Sequence, residues 1–298
     1  MWLSPVLAFL LVQLSPFGLC PSWHMHLSLT RWGIGGAGLI VRARPVLLIR
    51  MDNDPWGWDI AYHRLVALDA VDGSTRGQLV EDDPLQLLGV TTSEVWVNTG
   101  IRGTWHVAGY SLPDLEQRYD QDDVFAGRPD LGKIIEAVQV DGMGGDLRVK
   151  ALDGHSYRLT PRTGKVKQLP LDPPPPASSL LAGWRECRWK EHERLYDHRG
   201  CKPMEVDGDP LTIRSIPRGQ TSIFVIGRRR AHGAALWEVS EVQLFGDRDD
   251  DPRRLIRYAT LDRDRILLVA EDGRGRDDVY AAAIHVKDGK IIWTRTFW

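Results

Sequence analysis

The sequence predicts an all-β protein, and three observations carry that prediction. After Pro45 the chain consists of short runs rich in Val, Ile, Leu, Trp and Tyr, separated by Gly, Asp and Pro, which is the punctuation of strands and turns. No long stretch competes with them at the 3.6-residue apolar spacing of a helix. Segments of one texture also recur along the chain at a near-constant interval.

Taken in chain order, the first element is apolar. From Trp2 to Thr30 there is no Lys, Arg, Asp or Glu, and Val6 to Leu14 is a dense apolar run. A spanning helix needs about 20 apolar residues and a signal h-region about 7 to 15. Residues 1–30 are therefore read as a signal or membrane-anchor segment, with a misassigned start as the alternative. A basic n-region and an A-x-A site are both missing. Arg31, Arg42 and Arg44 follow the segment and would hold the rest on the cytoplasmic side by the positive-inside rule. The expectation is an exported or membrane-anchored protein of the cell envelope, with a cytoplasmic location left open.

Residues 31–44 are Gly-rich and read as a linker. Gly33-Ile-Gly-Gly-Ala-Gly38 fits G-x-G-x-x-G, and Asp52 follows at the distance of a ribose-binding acid. Pro45 leaves too little chain between them for the helix of a dinucleotide fold, and no βαβ alternation follows.

Strands are then expected at Val46-Leu-Leu-Ile49, Leu65-Val-Ala-Leu68, Val95-Trp-Val97, Ala137-Val-Gln-Val140, Ile223-Phe-Val-Ile226, Ile266-Leu-Leu-Val269 and Ile291-Ile-Trp293. Ala67-Leu-Asp-Ala-Val-Asp-Gly73 and Ala283-Ile-His-Val-Lys-Asp-Gly289 share an Asp-Gly at one spacing, suited to a hairpin that needs positive φ. Tyr157 to Val166 places Gly164 in the same relation to Leu159. With Leu68, Leu112, Leu159, Leu236 and Ile284 as equivalents, the intervals are 44, 47, 77 and 48 residues. Three of these match a four-stranded propeller blade of about 40 to 50 residues. The expected architecture is a β-propeller of five to six blades over residues 45–298. The long interval is assigned to an insert at about 172–210, which opens with Asp172-Pro-Pro-Pro-Pro176. A β-sandwich with coincidental glycine spacing is the competing fold.

The segment Val279-Tyr-Ala-Ala-Ala-Ile-His-Val-Lys-Asp-Gly-Lys-Ile-Ile-Trp-Thr-Arg295 resembles the repeat of the PQQ-like, or quinoprotein-dehydrogenase-like, β-propellers, and residues 64–77 and 157–167 resemble it more weakly. Dehydrogenases of that superfamily bind PQQ and calcium, use a catalytic Asp and often carry a vicinal disulfide. This chain has no adjacent cysteines, and its only two Asn, Asn53 and Asn98, make no recognisable calcium constellation. The resemblance therefore implies the non-enzymatic branch, whose propellers are scaffolds for partner proteins, with no cofactor. A small PQQ-type oxidoreductase or a propeller hydrolase is the alternative.

Composition agrees. The 298 residues are 43% hydrophobic and 26% charged, which excludes disorder, collagen and a polytopic membrane protein. A net charge of -2 supplies no global field for a nucleic-acid backbone. The expected partner is another protein, with the oligomeric state open.

No residue is assigned to catalysis. Cys187, His192, His198 and Cys201 lie within one short stretch. In an exported domain Cys187 and Cys201 are disulfide candidates; in a reducing compartment the four become a zinc alternative, although their spacing fits no usual ligand pairing. Trp184, Arg188 and Trp189 are the candidate recognition surface, since aromatic and Arg anchors dominate interfaces. The Asp clusters at 52–54, 82–83, 120–123 and 247–251 lack calcium-loop order and read as solvated turns. Arg228-Arg-Arg230 reads as a hairpin tip, and Trp96, Trp237 and Trp293 as packing between blades.

Overall fold

The computed structural model of the chain describes residues 33–40, 45–53, 62–81, 85–91, 93–100, 104–141, 144–170, 185–188, 203–218, 221–230, 233–246, 255–271 and 279–297. Among them the protein is all-β, with two five-residue helices. The strands form five open antiparallel sheets, none closed on itself.

The first sheet is β1 (Gly33–Ile40), β2 (Val46–Asn53), β3 (Tyr62–Asp69) and β4 (Thr75–Glu81). The second is β5 (Gln86–Val90), β6 (Glu94–Asn98), β7 (Val107–Ser111) and β8 (Gln117–Tyr119). The third is β9 (Ile135–Asp141), β10 (Asp146–Ala151), β11 (Ser156–Thr160) and β12 (Lys165–Gln168). A further strand, β13 (Arg185–Arg188), precedes the fourth sheet of β14 (Met204–Val206), β15 (Asp209–Arg218), β16 (Thr221–Arg229) and β17 (Ala235–Ser240). The fifth sheet is β18 (Leu255–Thr260), β19 (Arg265–Glu271), β20 (Val279–His285) and β21 (Ile291–Phe297), with β13 paired to β18 at its edge. Helix α1 (Gln121–Phe125) follows the second sheet and α2 (Glu241–Phe245) the fourth.

Burial explains why the apolar runs are continuous in some strands and alternate in others. In β2, Leu47 and Ile49 face the fifth sheet and pack with Leu267, Val269, Ala281 and Ala283. Val46 and Leu48 face the other way and pack with Val95, Val97 and Ala108 of the second sheet. A sheet buried on both faces needs apolar residues at every position. The second sheet meets the third through Trp96, Val107, Leu147, Val149 and Leu159, and the fourth meets the fifth through Phe224, Ile226, Tyr258, Leu268 and Tyr280. The sheets thus pack in the order third, second, first, fifth, fourth. The third and fourth sheets each have one face in an apolar core, and β10 accordingly alternates half-buried and buried along Asp146-Leu-Arg-Val-Lys-Ala151.

The hairpins expected to need positive φ have it: 71° at Gly73, 72° at Gly289 and 63° at Gly164. At Asp72-Gly73 and Asp288-Gly289 the Asp Oδ1 accepts from the backbone two residues on, at 2.7 Å from Ser74 and 3.1 Å from Lys290.

Several expectations are corrected. The Gly-rich stretch at 31–44 contains β1, because the edge of β2 supplies pairing from Gly33↔Asp52 to Ile40↔Val46 that offsets the weak strand preference of glycine. Leu236 is on a fourth strand, β17, whereas Leu68, Leu159 and Ile284 are on the third strand of their repeats and Leu112 directly follows one. Leu68, Leu159 and Ile284 stand one residue before the end of their strands, and the position so placed in β16 is Arg228, whose polar side chain hides the match. Within the range read as an insert, residues 204–206 and 209–210 form β14 and the start of β15. The apolar segment 1–30 lies outside the described residues, among which no helix is long and apolar enough to cross a membrane.

Candidate functional site

Of the recognition and ligand candidates, Cys187 and Arg188 are placed by backbone alone, in β13, opposite Ile256 and Leu255 of β18. Trp184, Trp189, His192, His198 and Cys201 lie outside the described residues. No group of three His, Cys, Asp or Glu suited to a metal occurs among the described residues. Gly33 to Gly38 runs as strand rather than as a turn into a helix, so the dinucleotide motif has no phosphate-binding geometry. Asp120 and Asp123 form the capping box of α1, with the Asp123 amide donating to Asp120 Oδ1 at 2.8 Å.

The chemistry instead collects on the polar faces of the third and fourth sheets. Register places Gln139, Arg148, Arg158 and Lys167 in one row across β9 to β12. One carboxylate serves two cations of that row: Asp141 Oδ2 accepts from Arg158 Nε at 2.7 Å, and Arg148 Nη2 lies 3.5 Å from Oδ1. Lys150 pairs with Glu136 at 2.9 Å. Lys165 and Lys167, exposed on β12, make no ion pair among the described residues. On the fourth sheet, Glu238 is held by Arg214 at 2.6 Å and by Arg229. Burial works to raise the Glu238 carboxyl, but these two guanidiniums outweigh it and keep it below its ordinary value. Arg228 pairs with Asp209 at 3.0 Å, so the Arg cluster read as a hairpin tip is largely neutralised within its own sheet.

This arrangement yields a stability prediction. Asp141→Ala leaves two guanidiniums without their shared acceptor and is expected to cost about 1 to 3 kcal/mol. Asp146→Ala, on the same face, is expected to stay within about 0.5 kcal/mol. Urea unfolding measures both, and equal losses would remove the assigned role of Asp141.

A second polar feature joins the second and third sheets. Glu94 is 1% exposed, and its Oε1 accepts from Arg162 Nη2 at 2.9 Å. That hydrogen bond raises the Arg162 guanidinium further above its ordinary range. The other oxygen has no partner among the described residues. Gly145 has φ 83°, a backbone conformation that favours glycine, and a Cβ there would approach that oxygen to 2.9 Å. Sequence reasoning passed over Glu94, Asp141 and Arg158 because no motif marks them; of the three only Arg158 lies on a strand whose period-2 alternation offered a signal, β11.

No family model and no curated protein matches this chain. Among solved structures, it is similar to an uncharacterized protein, lmo1340 from Listeria monocytogenes EGD-e, at 8% identity over 88% of this chain and 94% of that chain. The TM-score is 0.33, a likeness too loose to bear on fold or function.

Proposed function

We propose that the five sheets are the blades of a PQQ-like β-propeller and that the protein is a non-catalytic binding or scaffold protein of a bacterial cell envelope. The observation that carries this reading is the junction between the last sheet and the first. Trp293 of β21 packs on Gly73 of the β3–β4 hairpin and donates its indole N–H to Ala70 O at 3.3 Å. Arg295 Nε donates to Gly73 O at 2.8 Å. The same device recurs one sheet back, where Trp237 packs on Gly289 and donates to Val286 O at 2.7 Å. A chain whose final sheet returns to its first is what a ring of blades requires. The edge strand β13 anchors the insert, and Trp184 and Trp189 flank it in sequence. That supports the insert as the element of partner choice.

The test replaces residues 180–202 of the tagged full-length protein with a Gly-Ser linker of equal length. Partners recovered from a membrane-envelope fraction are expected to be lost while cooperative unfolding persists. An unchanged partner set in the folded variant would overturn the assignment to the insert. Incubation with PQQ and calcium, followed by desalting, is expected to leave no quinone absorbance on the protein; retained cofactor would favour the oxidoreductase.

A further inference from the structure

We infer that the outer edge of β12 is a docking site for an extended acidic segment of a partner protein, which adds to the third sheet as a further strand. The inference rests on the reading of this chain as a binding protein, and its argument is charge complementarity at a strand edge. β12 is the terminal strand of its sheet and pairs with β11 alone among the described residues. An edge strand presents unpaired backbone donors and acceptors that a further strand satisfies.

Its side chains alternate Lys165, Val166, Lys167. Both lysines are exposed and make no ion pair among the described residues, while Val166 is half-buried against the core between the second and third sheets. Behind Lys167 in the same row stand Arg158 and Arg148, both of which contact Asp141. The positive charge of this edge is therefore that of Lys165 and Lys167, which no acid among the described residues pairs with. The outer strands of the other sheets have a different pattern: Thr75 to Glu81, Gln117 to Tyr119, Ala235 to Ser240 and Ile291 to Phe297 contain no such pair of lysines.

A strand added to β12 sets its own residues opposite Lys165, Val166 and Lys167. Residues two apart on an extended strand are about 6.7 Å apart and share a face. Acid, apolar, acid is therefore the complementary order. The carboxylates meet the lysines as cross-strand pairs, and the apolar residue covers Val166. Lysines on an edge discourage pairing with ordinary strands, including further copies of β12, so the same charges that repel most strands select an acidic one.

The probe is a fluorescein-labelled peptide with the core Glu-Val-Glu-Val-Glu, compared with Lys-Val-Lys-Val-Lys and with a Glu/Val peptide of equal charge in blocked rather than alternating order. Anisotropy titration of the full-length protein is expected to show binding of the alternating acidic peptide alone, weakened by salt. Lys165→Glu/Lys167→Glu is expected to weaken it by about tenfold or more, the scale of two lost charge pairs with added repulsion. The reversed surface is expected to take up the lysine peptide. Both positions are exposed, so an unchanged melting temperature serves as the folding control. Equal binding of the blocked peptide, no binding by the native protein, or no response to the double substitution would each overturn the inference. None of these bears on the insert, whose replacement tests the broader reading separately.

Discussion

Trp293→Ala is expected to lower the unfolding free energy by about 3 to 5 kcal/mol, the range for truncating a large buried aromatic. Trp293 is 7% exposed and stands where the fifth sheet meets the first, among Leu68, Ala70 and Ala283. Truncation opens a void on the side of Gly73, which has no side chain of its own to fill it. Trp293→Phe keeps most of the apolar contact and gives up the indole donation to Ala70 O, so its loss should be near 1 kcal/mol. The adjacent Ile292 is 41% exposed, and Ile292→Ala should stay within about 0.5 kcal/mol. Equilibrium urea unfolding followed by far-UV circular dichroism ranks the three. A Trp293→Ala loss no larger than that of Ile292→Ala would mean that the last sheet does not depend on the first.

Gly289→Ala is expected to cost about 2 to 4 kcal/mol for one added methyl group, through two separate penalties. At φ 72° a residue with a Cβ loses about 1 to 2 kcal/mol relative to glycine. The methyl would also lie 2.7 Å from the Trp237 ring, and relieving such overpacking costs roughly 1 to 3 kcal/mol. The two penalties separate in a double variant. Gly289→Ala combined with Trp237→Ala should recover the overpacking part, giving a loss smaller than the sum of the single changes. Gly154, with φ 85° and nothing within 4 Å of its would-be Cβ, supplies the control for the backbone part alone. Additive losses at 289 and 237 would show that the turn and the indole do not touch.

The fold was legible where burial is two-sided. Runs such as Val46-Leu-Leu-Ile49 and Ile266-Leu-Leu-Val269 have one reading as strands covered on both faces, and Asp-Gly at 72–73 and 288–289 has one reading as a positive-φ hairpin. The tryptophans assigned to packing do pack between sheets at 96, 237 and 293. Legibility fell where tertiary contacts overrode local preference. β1 is half glycine and is a strand only because β2 offers its edge. Asp120 and Asp123 looked like one of several acidic turns, yet their spacing of three is that of a reciprocal helix cap. The charged faces were hidden for a different reason. Asp141 lies in sequence well before Arg158, and only the β9–β10–β11 register brings them to adjacent rows of one face. Pairing register is a property of two segments together and leaves no local mark on either.

The Trp293 to Ala70 contact spans 223 residues, and that separation governs when the molecule can finish folding. During synthesis at about 5 to 20 residues per second, the first sheet waits roughly 11 to 45 s for the strand that covers its second apolar face. For most of that interval Leu47, Ile49, Val66 and Leu68 have no partner from the fifth sheet. The nascent chain therefore carries an adhesive β-surface for most of its time on the ribosome, and its yield in a cell depends on how well that surface is shielded until β21 arrives.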